Sequence, residues 1–143
     1  FNQLPGIIDQ ATHSVKVAMF HIAFPEAGHP TQQLLNALVS AKDRGVTVKV
    51  LLDRDRKTDP YQSTVINTAA MEFLEANGIE CKFDQEAVLL HSKYLVIDDQ
   101  LSVVGSHNWS AGSYFQFDDL SLAVKSVELA QQLSGRFDVM WTS

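Results

Sequence analysis

Between positions 91 and 108 the chain carries an imidazole, an ammonium, a hydroxyl and a carboxamide at spacings that let them meet around one phosphorus. His91 and Lys93 are two residues apart, and so are Ser106 and Asn108. On a strand alternate side chains share a face, so His91 and Lys93 are expected on one side, about 6.5–7 Å apart along the backbone. Two polar groups on one face of the apolar run Val88 to Ile97 need a reason. If that run turns at Asp98-Asp99-Gln100 and pairs with Leu101 to Val104, the four groups converge at one end of a sheet. A phosphate diester needs donors on its non-bridging oxygens and a nucleophile in line with the leaving group. This set supplies both.

The five histidines and Cys81 show no zinc-ligand spacing. The attacking group is therefore expected to be a side chain rather than metal-bound hydroxide, and no cofactor is called for. Neutral imidazole is nucleophilic near pH 7, and its phosphorylated form is labile to water. A second group must protonate the leaving alcohol and later activate water.

The elements around these residues alternate. Asn2 to His13 reads as a short helix interrupted by Pro5-Gly6, and Ser14 to Phe20 as a buried strand. Pro25, Gly28 and Pro30 mark a loop, after which Thr31 can cap a helix running to Lys42 and stopped by Gly45. Val46 to Leu52 is a second strand, Asp53 to Gln62 a polar loop, Thr64 to Ala76 a helix, and Ile79 to Phe83 a third strand. Val88 to Ile97, Leu101 to Val104 and Leu120 to Val124 are further strands, and Val127 to Met140 is the last helix. The pattern predicts an α/β fold, a mixed β-sheet flanked by helices, over residues 1–143 as one domain. A chain of 143 residues can bury a core without staples.

Net charge is −6. Residues 1–70 hold seven Lys/Arg against six Asp/Glu, and residues 71–143 hold four against eleven. A protein drawn to nucleic acid by overall charge is normally basic, so any phosphate binding here must be local. No apolar run is long enough to span a bilayer, and no signal peptide is legible. Because the first residue is Phe1 rather than Met, a removed leader or anchor stays open and localisation is unreadable.

The spacing H-x-K-x4-D-x6-G-S-x-N, complete from His91 through Asp98 and Gly105 to Asn108, is similar to the signature of the phospholipase D superfamily. The upstream SVKVAMF and LLNALVSAKDRGVTVKVLLD also resemble that family. Six fixed positions match by chance at about 10⁻⁸ per start site, so the signature is specific. The resemblance implies a phospholipase D/nuclease-like fold and assigns roles. His91 would attack phosphorus, Lys93 and Asn108 would hold the phosphate oxygens with help from Ser106, and Asp98 would support local structure. An acidic residue about eleven positions after the motif Asn would orient the imidazole. Asp119 stands there, with Asp118 as competitor, and this reading is preferred to a metal pair.

Family enzymes use two such motifs around one site, and this chain has one. None of His13, His21, His29 or His107 is followed two residues later by lysine. The resemblance therefore implies a two-fold homodimer with the site on its axis, as in the short bacterial endonucleases and mitochondrial-type members.

Other residues have plainer readings. His21 could line the cleft or be a solvated strand end, and His107 is expected to point away. Arg54, Arg56 and Lys57 could grip a nucleic-acid backbone, but interleaved Asp53, Asp55 and Asp59 favour a solvated loop. Trp109, Tyr114, Phe115 and Phe117 could stack bases, cover an acyl chain, or serve a core or dimer contact. The expected function is a metal-independent nuclease acting on DNA or RNA. A phospholipid hydrolase or phosphatidyltransferase is the alternative, and a catalytically silent interaction module of the same fold the third.

Overall fold

The computed structural model describes residues 2–24 and 29–143. The elements are α1 (Leu4–Asp9), β1 (Ser14–Met19), α2 (Pro30–Asp43), β2 (Thr47–Leu52), α3 (Ser63–Ala76), β3 (Glu80–Phe83), β4 (Lys93–Ile97), β5 (Leu101–Gly105), α4 (Ala111–Phe115), β6 (Ser121–Lys125) and α5 (Val127–Thr142). The strands form a six-stranded mixed sheet in the order β3-β2-β1-β4-β5-β6. The pairs β1–β2 and β2–β3 are parallel, and β1–β4, β4–β5 and β5–β6 are antiparallel. This is the α/β mixed sheet that the sequence predicts.

Both faces of the central strands are buried, which explains their near-continuous apolar sequences. Val15, Val17 and Met19 of β1 and Val48, Val50 and Leu52 of β2 pack with Ile8, Leu34, Leu38 and Leu74 from the first three helices. Ala18, Leu51, Tyr94 and Val96 point the other way, against Ala130, Phe137 and Trp141 of α5.

Several local expectations change. The cap of α2 is His29, whose Nδ1 accepts the Thr31 N–H at 3.2 Å. Pro30 takes the first helical position, and the buried Thr31 hydroxyl instead donates to Trp109 O at 3.2 Å. The loop assigned to Pro25 and Gly28 lies outside the described residues. The short helix α4, capped by the Ser110 hydroxyl, was not foreseen.

The first helix is shorter than Asn2 to His13, because Thr12, His13 and Ser14 give their N–H groups to a side chain from across the sheet. That side chain is Asp98, at the β4–β5 turn, where Asp98 and Asp99 adopt positive φ of 55° and 51°. Aspartate tolerates this region better than most residues. The Asp98 carboxylate accepts from Thr12 N at 3.0 Å, His13 N at 2.7 Å, Ser14 N at 2.9 Å and Thr12 Oγ1 at 3.1 Å. Partial burial opposes its charge, but these donors together hold the carboxyl below its ordinary range.

Candidate active site

β4 begins at Lys93, not at Val88, so His91 stands on the link before the strand. Phe20 N–H donates to Ser92 O at 3.1 Å. One residue before His91, the Leu90 N–H turns away to the Asp53 carboxylate at 2.9 Å, and His91 N–H folds back on Leu89 O at 3.0 Å. The apolar Val88-Leu89-Leu90 run suggested a strand, but its hydrogen bonds go elsewhere. In the same way Ser106 and Asn108 lie beyond the end of β5, at Gly105.

All of these groups sit at one end of the sheet, where β1, β2 and β5 finish and β4 and β6 begin. Met19 is paired with Lys93, and Gly105 with Ser121. Lys93 Nζ donates to His91 O at 2.7 Å and lies 5.0 Å from the Phe20 ring centroid. The His91 ring meets Phe20 edge-on at 4.8 Å, and His21 stacks on Phe20 at 3.8 Å. Asn108 Oδ1 accepts the His21 N–H at 3.3 Å, so the donors this side chain has to offer are those of its amide NH₂. Ser106 Oγ donates to Asp119 Oδ1 at 2.7 Å and accepts Leu120 N–H at 3.0 Å.

The electrostatics suit a nucleophilic imidazole. Burial first, and then the Lys93 ammonium, hold His91 below its ordinary value, with Asp53 opposing. The ring is thus neutral at pH 7. Burial also lowers Lys93, against the pull of Asp119. The Ser106 hydrogen bond is the main reason Asp119 titrates below its usual range. Burial lowers His21 as well, with Asp53 opposing and Lys93 and His91 adding to the depression.

The structure thus brings His91, Lys93, Ser106, Asn108 and Asp119 to one place. Within one chain Asp119 accepts hydrogen bonds from the Ser106 and Ser113 side chains. Asp98 is not with them; it lies at the far end of β4, about 13 Å or more from Lys93 at strand rise. His107 contacts Ser121 Oγ through Nδ1 at 2.8 Å. Trp109 is core at 2% exposure, whereas Phe115 and Phe117 are 69% and 63% exposed. Arg56 is no free cation: it pairs inward with Asp53 and Asp59, so the loop is not simply solvated.

Sequence reasoning undervalued two neighbours of His91. Phe20 and Asp53 close buried strands at the site end, and an aspartate directly after VKVLL was the available signal for the second. A cavity of about 140 Å³ beside the site is walled by Leu4, Ile7, Val103 and Trp109, with Lys93 and His107 at its polar part.

Residues 4–141 match the family described as the PLD-like domain of cardiolipin synthase. The chain belongs to the phospholipase D-like family. Among relatives of this family, it is similar to the mitochondrial cardiolipin hydrolase of Mus musculus, 24% identical over 131 residues, covering 92% of this chain and 53% of that protein. It is also similar to cardiolipin synthase A of Escherichia coli, 34% identical over 95 residues, covering 66% of this chain and 19% of that one. The chain therefore spans about half the length, or less, of these relatives. Two solved structures superpose over nearly all of this chain. Nuc from Salmonella typhimurium, a phospholipase D family member, gives a TM-score of 0.80 at 22% identity, covering 99% of this chain and 86% of Nuc. NucT from Helicobacter pylori gives 0.73 at 20% identity, covering 99% and 87%.

Proposed function

We propose that this chain is a metal-independent phosphodiesterase that cleaves nucleic acid as a two-fold homodimer, with His91 as nucleophile. The observation that carries the reading is the gathering of the His91 imidazole, the Lys93 ammonium and the Asn108 amide at one end of the sheet. In the first step an imidazole nitrogen forms a bond to phosphorus while the bond from phosphorus to the leaving oxygen breaks. That oxygen takes a proton from the partner's His91 in its imidazolium form. The partner's His91, now neutral, removes a proton from water, and the hydroxide displaces the histidine from phosphorus. Lys93, Asn108 and Ser106 hold the non-bridging oxygens as charge builds. A second histidine is required, and the chain has one motif, which favours a site shared between two copies.

The near end-to-end match with Nuc and NucT supports the nuclease reading. The similarity to cardiolipin hydrolase and synthase supports phosphatidyl hydrolysis or transfer as the second reading. Both use the same groups. Single- and double-stranded DNA and RNA, cardiolipin and phosphatidylcholine vesicles, and bis-p-nitrophenyl phosphate, each in excess EDTA, separate them. Cleavage of nucleic acid that is lost in His91→Ala is the expected result. Turnover of lipid alone would transfer the assignment to the second reading. Inertness toward all of them at dimer-forming concentration would leave a silent interaction module.

A further inference from the structure

Behind His91 stands a carboxylate to which the phosphodiester chemistry above gives no role. Asp53 follows β2 and is fully buried, at 0% exposure. Its Oδ1 accepts the N–H of Leu90, the residue before His91, at 2.9 Å. Its backbone is held as firmly: its N–H donates to Met19 O at 3.3 Å, and its carbonyl accepts from Asn67 Nδ2 at 2.9 Å. Its counter-charge is weak. Arg56 Nη1 lies 3.7 Å from Oδ1, and Arg56 is shared with Asp59. Among the described residues Oδ2 meets no hydrogen-bond donor.

A buried carboxylate with one oxygen unbonded is destabilising, and an apolar residue of similar volume would usually serve the fold better. Its location suggests why it is there. It is the negative group that opposes burial and Lys93 at His91, and it acts on His21 in the same sense. Asp84, just after β3, also feels it, with Arg136 of α5 opposing.

We propose that Asp53 is the positioning residue of the nucleophile: it fixes the backbone that carries His91 and supplies the fixed negative charge against which that imidazole becomes cationic. This rests on His91 being the nucleophile. When a ring nitrogen bonds to phosphorus and the other keeps its proton, the ring carries positive charge, and a preorganised carboxylate stabilises it without touching substrate. The same charge supports the protonated ring that serves as acid in the partner.

The test is the ring titration of His91, followed by NMR in the intact protein, with the pH profile of diester cleavage beside it. Asp53→Asn keeps the shape and the acceptor for Leu90 N–H but removes the charge. His91 should then titrate about half a pH unit or more lower. The pH–activity profile should follow it toward acid, and kcat should fall about tenfold or more with KM little changed. Arg56→Gln removes the counter-charge and should move His91 the opposite way. Thermal unfolding shows whether each variant is folded. If Asp53→Asn does not fold, the direction of the Arg56→Gln shift decides. A His91 titration unmoved in the folded variants overturns the proposal. A wild-type protein that cleaves no diester removes the phosphodiesterase reading instead, while the titration still reports whether Asp53 acts on His91.

Discussion

Gly105 and Ser121 face each other across β5 and β6 so closely that a Cβ on Gly105 would lie 2.5 Å from Ser121 Cα and overlap Ser121 Oγ and Leu120 O. The obstacle is backbone, so it cannot swing aside. Gly105→Ala should destabilise the protein by about 1–3 kcal/mol. It should also lower activity, because Leu120 and its neighbour Asp119 hold Ser106. Thermal unfolding and a cleavage assay on the folded fraction check both effects.

His91 titrates below its ordinary value chiefly through desolvation by its surroundings, with Lys93 adding to the depression. With His91 as the proposed nucleophile, the acid limb of kcat/KM should lie below the ordinary histidine value of about 6.5. Lys93→Met removes a cation from beside the ring, so it should move that limb upward while cutting the rate by about 100-fold or more. A limb that stays put in Lys93→Met would separate the two side chains.

Asp98 predicts a division between stability and chemistry. Its folded value is depressed, so its stabilisation is present above the unfolded value of about 4 and is lost as pH falls through the folded one. Asp98→Ala leaves the amides of Thr12, His13 and Ser14 without their acceptor and should cost about 2–4 kcal/mol. Folded Asp98→Ala protein should keep most of its turnover, because the residue sits at the other end of the sheet. Denaturant titrations at pH 7 and pH 3 should show the wild-type advantage shrinking in acid.

Asn67 of α3 is fully buried and joins three strand-end backbone groups. Its Oδ1 accepts Ile22 N–H at 2.8 Å, and its Nδ2 donates to Phe20 O and Asp53 O, each at 2.9 Å. Asn67→Ala should cost about 3 kcal/mol or more by stranding all three. Urea unfolding measures it.

A site that needs one His91 from each of two subunits can be poisoned. Mixing equal amounts of wild-type and His91→Ala protein, after exchange of subunits, should make wild-type homodimers about a quarter of all dimers, so that activity falls to about a quarter of that of the same total amount of wild-type protein. Independent sites would instead retain about half of the activity. Light scattering should give twice the chain mass, and a monomer active at high dilution would dismiss the shared site.

The sequence disclosed the strands well because β1 and β2 are buried on both faces, which requires runs such as VKVAM and TVKVLL. The hairpin between β4 and β5 was legible from its turn residues, although His91, Ser106 and Asn108 stand just off its strands and Asp119 was named only through the family resemblance. The start of β4 was less legible. Leu90 is as apolar as a strand residue, but its amide goes to a side chain 37 positions earlier. The role of Asp53 was hidden for the same reason: a loop of alternating charges looks solvated until the fold turns Asp53 and Arg56 inward. The five-residue α4 is too short to show a period.

The hairpin also explains the intervals of the motif. The four residues between Lys93 and Asp98 are the rest of β4, and the six between Asp98 and Gly105 are the turn and β5 up to its last residue. The signature is a ruler laid along one ribbon, anchored by Asp98 at its far end and read at Lys93 and Gly105. Inserting a single residue within it would throw Lys93 onto the opposite face of the sheet. The stretches outside the ribbon are free to lengthen, so variation between relatives should collect there, while the ruler keeps its length.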